Sequence, residues 1–527
     1  MPTLNWIGKE KVVNHHRDVP YCVLDKQYTF DNNGQHPVEE GIESKNMIIH
    51  GDNLYALKSL LPLYEGKVDL VYIDPPYNTG NEKWVYNDNV NDPRIKKWLG
   101  DVVGKEGEDL SRHDKWLCMM YPRLTLLRKL LSPDGLLFIS IDDTEQSNLR
   151  LICDEIFGLN NFVACIAWEK RYTRSNNAKR FYSLKDSILV YRRDSVLTEI
   201  KEKRTEKADS NYSNPDNDPN GPWISSSYVN PATKNARPNL VYPISAPDGR
   251  IINHLTHAWK YSEIEHKRHV ENNMLWWGSD GHAKYPRLKK YLNEASGMVP
   301  VDLWHYQDVG TTDDGGKEIK SIFGKMIFDT PKPTSLIQKI ISICNKNDAI
   351  VLDSFAGSGT TAHAVIKQNH LDGGNRQFIL IEMEEYANVI TAERVKRAIC
   401  GYEDNPGIKS SFSFYELGEL LLNEDGNINE NVPIEKIKEY VFYTETKTPY
   451  VPPESNIPYY LGRLNGTSYY FIYEKDCKTT LDEDFITNLS SNSEEHVVFA
   501  DRCTISKSTR KELNIIFKKI PRDISRF

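Results

Sequence analysis

The feature that most constrains how this chain can fold is an apolar run that ends abruptly: Val68-Asp69-Leu70-Val71-Tyr72-Ile73 runs into Asp74-Pro75-Pro76-Tyr77-Asn78-Thr79-Gly80. Leu70 to Ile73 has the length and residue types of a buried strand in a parallel sheet. Pro75 and Pro76 have no backbone N–H and a fixed φ, so the strand must stop there, with the next carbonyls held rigidly outward. Open α/β sheets bind their ligands at the carboxyl ends of strands. The stretch therefore predicts a stiff platform carrying one carboxylate, exposed carbonyls and one ring. That set suits a planar base bearing an exocyclic amine. Asp74 and the Pro75 carbonyl can each accept an amino proton, and Tyr77 can stack on the ring.

A second stretch, Ile350-Val351-Leu352-Asp353-Ser354-Phe355-Ala356-Gly357-Ser358-Gly359-Thr360-Thr361-Ala362, reads as a buried strand, a glycine turn and a helix start. Phe378 to Glu382 then reads as a strand ending in an acid, roughly twenty residues past the glycines, where a carboxylate holds ribose hydroxyls. Gly357 to Ala362 also fits the dinucleotide fingerprint of nicotinamide oxidoreductases. A dehydrogenase, however, gives no reason for Asp74-Pro75-Pro76-Tyr77. A catalytically silent DNA-binding protein would be expected to lose the acid or the ring, and both are present. Attack through carbon 5 of cytosine would need a cysteine, usually after proline, and the chain has no Pro-Cys.

Together the two stretches resemble the amino-methyltransferases of DNA in their permuted β class, in which the tetrad precedes the glycine motif. The resemblance runs from about Asn46 to Cys400. It implies an α/β, Rossmann-like methyltransferase fold with a mostly parallel sheet, an inserted target-recognition domain and a small C-terminal domain. It also implies S-adenosylmethionine as cofactor and no metal. On this resemblance Asp74, Pro75, Pro76 and Tyr77 are catalytic, and Asp353, Phe355, Gly357, Gly359, Thr360 and Glu382 bind the cofactor. Asp52, in a strand-ending Gly-Asp, would lie against the cofactor adenine, although a helix N-cap explains it equally well. Lys332, in Phe328-Asp329-Thr330-Pro331-Lys332-Pro333, matches a Lys-Pro motif near the cofactor's methionine end. Asp at the head of the tetrad accompanies adenine N6 in the family and Ser accompanies cytosine N4, so adenine in double-stranded DNA is the expected target and N4-cytosine the alternative. The overall layout resembles the modification subunits of type III restriction-modification systems. That likeness admits a homodimer and a separate nuclease or translocase subunit as partners.

The remaining chain divides by composition. Residues 1–45 lack clear periodicity and read as an arm, and residues 46–200 form the half carrying the tetrad. Residues 201–324 are rich in Pro, Asn, Gly, His and Trp and occupy the slot of the target-recognition domain. Residues 325–400 carry the glycine half, and the Tyr-rich residues 401–527 read as a further small domain. The polar segment Asn78 to Gly107 reads as a lid or binding loop, whose Trp84 or Tyr86 could stack opposite Tyr77. Lys170, Arg171, Arg174, Lys179 and Arg180, against the single acid Glu169, form the best candidate for contacts to DNA phosphates. Asp142-Asp143 closes a predicted strand and reads as a helix cap, because no third ligand stands at metal spacing.

Composition adds exclusions. The net charge is −8, so DNA binding requires a local basic face. The eight cysteines form no C-x-x-C, which argues against a zinc site and a disulfide frame. No run of 18 apolar residues and no charged-then-apolar leader occur, so a cytoplasmic protein without membrane contact is expected. No G-K-[ST] phosphate loop is present, so no ATP motor is expected.

Overall fold

Strands with apolar residues at nearly every position must be covered on both faces, and that requirement organises the larger part of this protein. The computed structural model describes residues 3–79, 110–174, 179, 181–423, 425–490, 493–521 and 524. Two compact units are present: one made of Met1–Glu199 and Val301–Phe527, the other of Ile200–Pro300.

The first unit contains an eleven-stranded sheet. In chain order its strands are β1 (Cys22–Asp31), β2 (Gly34–Pro37), β3 (Met47–His50), β4 (Val68–Ile73), β5 (Leu131–Ile141), β6 (Phe162–Glu169), β7 (Lys185–Arg192), β8 (Leu303–Trp304), β9 (Ile350–Asp353), β10 (Gln377–Glu382) and β11 (Phe412–Leu420). Their order across the sheet is β8-β6-β7-β5-β4-β9-β10-β3-β11-β1-β2. The central run from β5 to β11 is parallel, while β7 and β1 attach antiparallel on either side. From β4 the chain moves to β5 on one side, and from β9 it moves to β10 on the other. The seam between β4 and β9 is therefore the switch point at which such sheets open a crevice.

Helices cover both faces. The helices α1 (Asn53–Tyr64), α2 (Leu110–Leu130) and α3 (Gln146–Phe157) close one core, in which Leu57, Leu60, Trp116, Leu124, Leu127 and Ile152 meet Val71, Ile73, Leu137 and Leu352. On the sheet's other flank, α4 (Thr312–Phe323) precedes α5 (Thr334–Cys344), which packs on α6 (Thr360–Asp372) and against β4 and β5. Each fully buried Leu or Ile in such a core contributes about 1.5–3 kcal/mol.

Several boundaries differ from those read in the sequence. Residues 1–45 are not an arm, because β1 and β2 extend the sheet by pairing β1 with β11. The alternation in Cys22–Asp31 is interrupted by bulges, which hides the strand from a period-two search. Residues 301–324 belong with the sheet and not with the insert: β8 pairs with β6, and Trp304 is buried there. Residues 401–527 begin as β11 of the large sheet and only later form a four-stranded sheet built from Tyr460–Leu464, Thr467–Phe471, Glu495–Ala500 and Ile515–Lys519. Its core also takes in Tyr21 and Val23 from the N-terminal segment.

The second unit holds a three-stranded sheet of Leu275–Trp276, Arg287–Tyr291 and Trp223–Ser227, and a helix Glu263–Glu271 started by a Ser262/Glu265 capping box. Tyr228, Tyr242, Trp259, Trp277 and Leu288 form its core. The aromatic richness of this region is thus largely core packing. Lys289 is buried yet satisfied, with Asp216 and Asp218 each 2.5 Å away.

At the entry end of the β4/β9 seam, Asp69 accepts from the Ile350 N–H at 2.9 Å and pairs with Lys346 at 2.5 Å. This carboxylate ties together two strands nearly 280 residues apart. Removing it leaves a seam N–H without its acceptor, a loss of about 1–3 kcal/mol. Asp69→Ala should therefore lower urea stability by that amount. Lys267→Ala, which removes only an exposed i,i+4 pair with Glu263, should cost no more than about 0.5 kcal/mol and give a baseline.

Candidate active site at the sheet's switch point

Asp74 stands where β4 ends and the two prolines begin. The Lys332 ammonium lies 2.5 Å from its Oδ2. The other oxygen, Oδ1, is buried and meets no donor among the described residues. An acceptor in that position is an open valence for a ligand N–H. The Pro76 carbonyl is engaged by the Trp116 indole at 2.7 Å, which leaves the Pro75 carbonyl as the platform's acceptor. Asn78 turns the chain away in the left-handed region, with φ +60°.

Tyr77 is fixed at its phenol end: its hydroxyl donates to Asp186 Oδ2 at 3.3 Å, and Lys170 holds the other Asp186 oxygen at 2.6 Å. The Lys332 ammonium is also 5.2 Å from the Tyr77 ring centroid, a cation–π contact. Burial, with the Asp74 and Asp186 carboxylates nearby, holds the Tyr77 phenol well above its ordinary pKa, so the ring stays neutral.

The glycine turn follows β9 on the neighbouring strand. Gly357 (φ +52°) and Gly359 (φ +79°) take left-handed conformations. A Cβ on Gly359 would stand 2.9 Å from the Thr391 carbonyl oxygen, and one on Gly357 would stand 3.1 Å from the Phe328 ring. Both positions thus need glycine for conformation and for space. Asp353 closes the turn by accepting from the Phe355 N–H at 3.0 Å and the Thr361 hydroxyl at 2.5 Å. Glu382, at the end of β10, accepts from Gly357 N at 2.7 Å and Glu384 N at 3.0 Å. These two bonds use about half of a carboxylate's accepting capacity and leave the remainder for hydroxyl donors.

A cavity of about 180 Å³ joins the two motifs. Of the residues expected from sequence, Asp74, Pro76, Lys332, Asp353, Phe355, Gly357, Thr360 and Glu382 line it. Asp52 does not; it caps α1 at Leu54 N (2.7 Å) and pairs with Arg123 at 3.2 Å, the cap being the alternative that sequence left open. Gly359 shapes the turn from behind. Lys332 sits on the Asp74 carboxylate. Three carboxyl groups, Asp74, Asp353 and Glu382, thus line one cavity, with a single ammonium, Lys332, on Asp74, and a cationic sulfonium in that cavity would favour their ionised forms. The left-handed turn and the spare acceptors of Glu382 fit S-adenosylmethionine.

The basic segment is less uniform than its sequence suggests. Lys170 is held by Asp186 and so supports Tyr77, and the Arg171 guanidinium bonds the Tyr182 hydroxyl. Arg174 and Lys179 are exposed, while Arg180, Trp84 and Tyr86 lie outside the described residues. Asp142 accepts from Thr144 N at 2.9 Å as a turn residue, and Asp143 pairs with Lys185 at 2.7 Å.

Sequence reading missed the residues that join the parts. The fully buried Arg394 donates to Ser358 Oγ at 2.9 Å and Thr360 Oγ1 at 2.7 Å, and pairs with Glu318 at 2.9 Å. Glu318 in turn accepts from the Thr334 hydroxyl at 2.7 Å, and Thr360 donates to the Lys332 carbonyl at 3.2 Å. This network locks the Lys332 segment to the glycine turn. Phe328 and Tyr386 supply the cavity's apolar wall, edge to face at 5.7 Å. Phe328 was within reach of motif reading, whereas Tyr386 and Arg394 carried no sequence signal.

Burial pushes the Asp353 and Glu382 carboxyls up to about 7. A folded-state pKa above the unfolded one means stability that is complete below the ordinary carboxylate range and is lost as pH rises toward 7. The ligand-free protein should therefore be more stable in urea at pH 5 than at pH 8, by up to about 1.4 kcal/mol per pH unit for each group across that window. Glu382→Gln should flatten the slope, whatever it does to absolute stability. An unchanged slope would assign the pH dependence to other groups.

The N6/N4 family of DNA methylases matches residues 68–393. The StyLTI Mod subunit of a type III restriction-modification enzyme from Salmonella typhimurium is 36% identical over 66% of this chain and 53% of its own length. The EcoPI Mod subunit from Escherichia phage P1 is 31% identical over 73% of this chain and 64% of its own. The chain thus spans between half and two thirds of the length of these relatives. The crystal structure of M1.HpyAVI with SAM aligns over 66% of this chain and 98% of that one, with 17% identity and a TM-score of 0.31, a level too low to bear on chemistry. The family match alone covers well over half of the 527 residues and both motifs. The chain belongs to the N6/N4 DNA methylase family.

Proposed function

We propose that this protein transfers a methyl group from S-adenosylmethionine to adenine N6 in double-stranded DNA, as the modification component of a type III restriction-modification system. The observation that carries the reading is the juxtaposition of Asp74 Oδ1, buried and open, with the glycine turn of the adjacent strand. The named relatives are Mod subunits of such systems, which supports the biological setting and a separate restriction subunit. Among the described residues no helix is long and apolar enough to cross a membrane.

When bound, S-adenosylmethionine supplies the methyl group, and Gly357, Glu382, Asp353 and the Phe328/Tyr386 wall would hold it. The protein's own chemistry concerns the amine. An exocyclic amino group conjugated with its ring is a poor nucleophile. Asp74 Oδ1 and the Pro75 carbonyl, by accepting its two hydrogens, turn its lone pair out of the ring. Lys332 holds Asp74 Oδ2 and fixes the plane of its carboxylate, which leaves Oδ1 for the target. The proton shed by the methylated nitrogen goes to Asp74 Oδ1. Tyr77, braced by Asp186 and Lys170, stacks on a base rotated out of the duplex. Asp at the head of the tetrad favours adenine over cytosine. The Ile200–Pro300 unit, inserted between the two motif halves, is the candidate target-recognition domain, and Arg174 and Lys179 are exposed candidates for backbone contacts.

Two measurements test the reading. By calorimetry with S-adenosylmethionine, Asp74→Ala should bind within about threefold of the parent while turnover falls by at least about 10²-fold. Gly357→Trp should lose binding altogether, and retained affinity in that variant would contradict the assigned cofactor site. Expression in a methylation-free host, followed by sequencing that reports modified bases, should show N6-methyladenine at one short motif, absent with Asp74→Ala. N4-methylcytosine would overturn the base assignment, and an unmodified genome would revive a silent DNA-binding role.

A further inference from the structure

Large apolar side chains in full contact with water need a reason, and Phe181 is the extreme case here. Its relative exposure is 105%, the highest of any large apolar residue among those described. It lies in the connection between the antiparallel strands β6 and β7, whose arms are joined by the Arg171 N–H to Leu184 carbonyl bond. Both arms are fixed to the active site. Lys170 from one arm and Asp186 from the other meet beside the Tyr77 hydroxyl, and Tyr172 stacks on Tyr306 at 5.1 Å. Phe181 is five residues from Asp186, a span of at most about 17 Å when extended. Arg174 and Lys179 are exposed on the same connection. A fully exposed ring on a connection that also carries two exposed cations, rooted beside the residues that hold the stacking tyrosine, complements a polyanion whose interior is apolar, which describes a base stack.

Building on the function proposed above, we infer that Phe181 is the wedge that enters the duplex and fills the space left when the target base rotates onto Tyr77. A rotated base leaves its neighbours unstacked, and a ring inserted there recovers part of the lost stacking and blocks return of the base. The braced Asp186–Lys170 pair would coordinate both events, since one carboxylate holds the tyrosine that receives the base and roots the strand that carries the wedge.

The test uses the full-length protein and duplexes bearing the sequence found methylated in cells, either fully paired or with a mismatch opposite the target base. Phe181→Ala should lower kcat/KM on the paired duplex by about tenfold or more and on the mismatched duplex by less than about threefold, because a mismatched base is already loosely stacked. Phe181→Trp should restore activity. With 2-aminopurine at the target position, Phe181→Ala should lose most of the fluorescence rise seen with the parent protein. Unchanged activity on the paired duplex, or an equal loss on both duplexes, would overturn the wedge. So would intact methylation combined with lost binding to a separate protein subunit, which would make Phe181 a protein-docking residue. A parent protein that methylates neither duplex would instead defeat the underlying function, and the two failures are thereby distinguished.

Discussion

Everything at the site depends on the backbone ladder between β4 and β9. Val351 pairs with Leu70 and Leu352 with Val71, joining strands that the chain separates by nearly 280 residues. Without that pairing, the acid-proline platform and the glycine turn would belong to different surfaces. Side chains reinforce the seam at both ends: Asp69 bridges to Ile350 and Lys346 below, and Asp74 meets Lys332 above. Closing so long a loop costs entropy that grows only with the logarithm of its length. A seam of apolar strands buried on both faces can offset that cost.

Charge is distributed around this seam to leave one acceptor open. Lys332 neutralises one Asp74 oxygen, the turn and its threonines occupy Asp353, and two backbone amides occupy part of Glu382. Only Asp74 Oδ1 meets no donor among the described residues of this cluster of carboxylates. Buried polar atoms left open carry a desolvation cost, and under the proposed function a ligand N–H supplies the donor that Asp74 Oδ1 lacks.

Much of this arrangement was legible in the chain, because strands that end in prolines or glycines impose their own geometry. The positions of Asp74, Tyr77, Gly357 and Glu382 at strand ends and the glycine turn were readable because local backbone chemistry dictates them. What stayed hidden depends on distant partners. β1 became a strand only by pairing with β11 across nearly 390 residues, and Arg394 acquired its role only when folding brought Glu318 and Thr360 beside it. Lys170 shows the converse error, since a cation in a basic run looks like a phosphate contact until the fold places Asp186 next to it. In the insert, the Trp259 and Trp277 that mark its composition serve its core.

The insert has one further property. Near its two ends, Glu202 and Met298 exchange both backbone hydrogen bonds, each 2.9 Å long, as an antiparallel bridge. Cα atoms in such a bridge stand about 5.5 Å apart, so a unit of about one hundred residues enters and leaves through a gap no wider than a hairpin turn. To the strands that flank it, the unit is topologically equivalent to a short loop. Such a module is portable: lineages could exchange it for another of similar end spacing while the sheet, the seam and the open carboxylate oxygen kept their places.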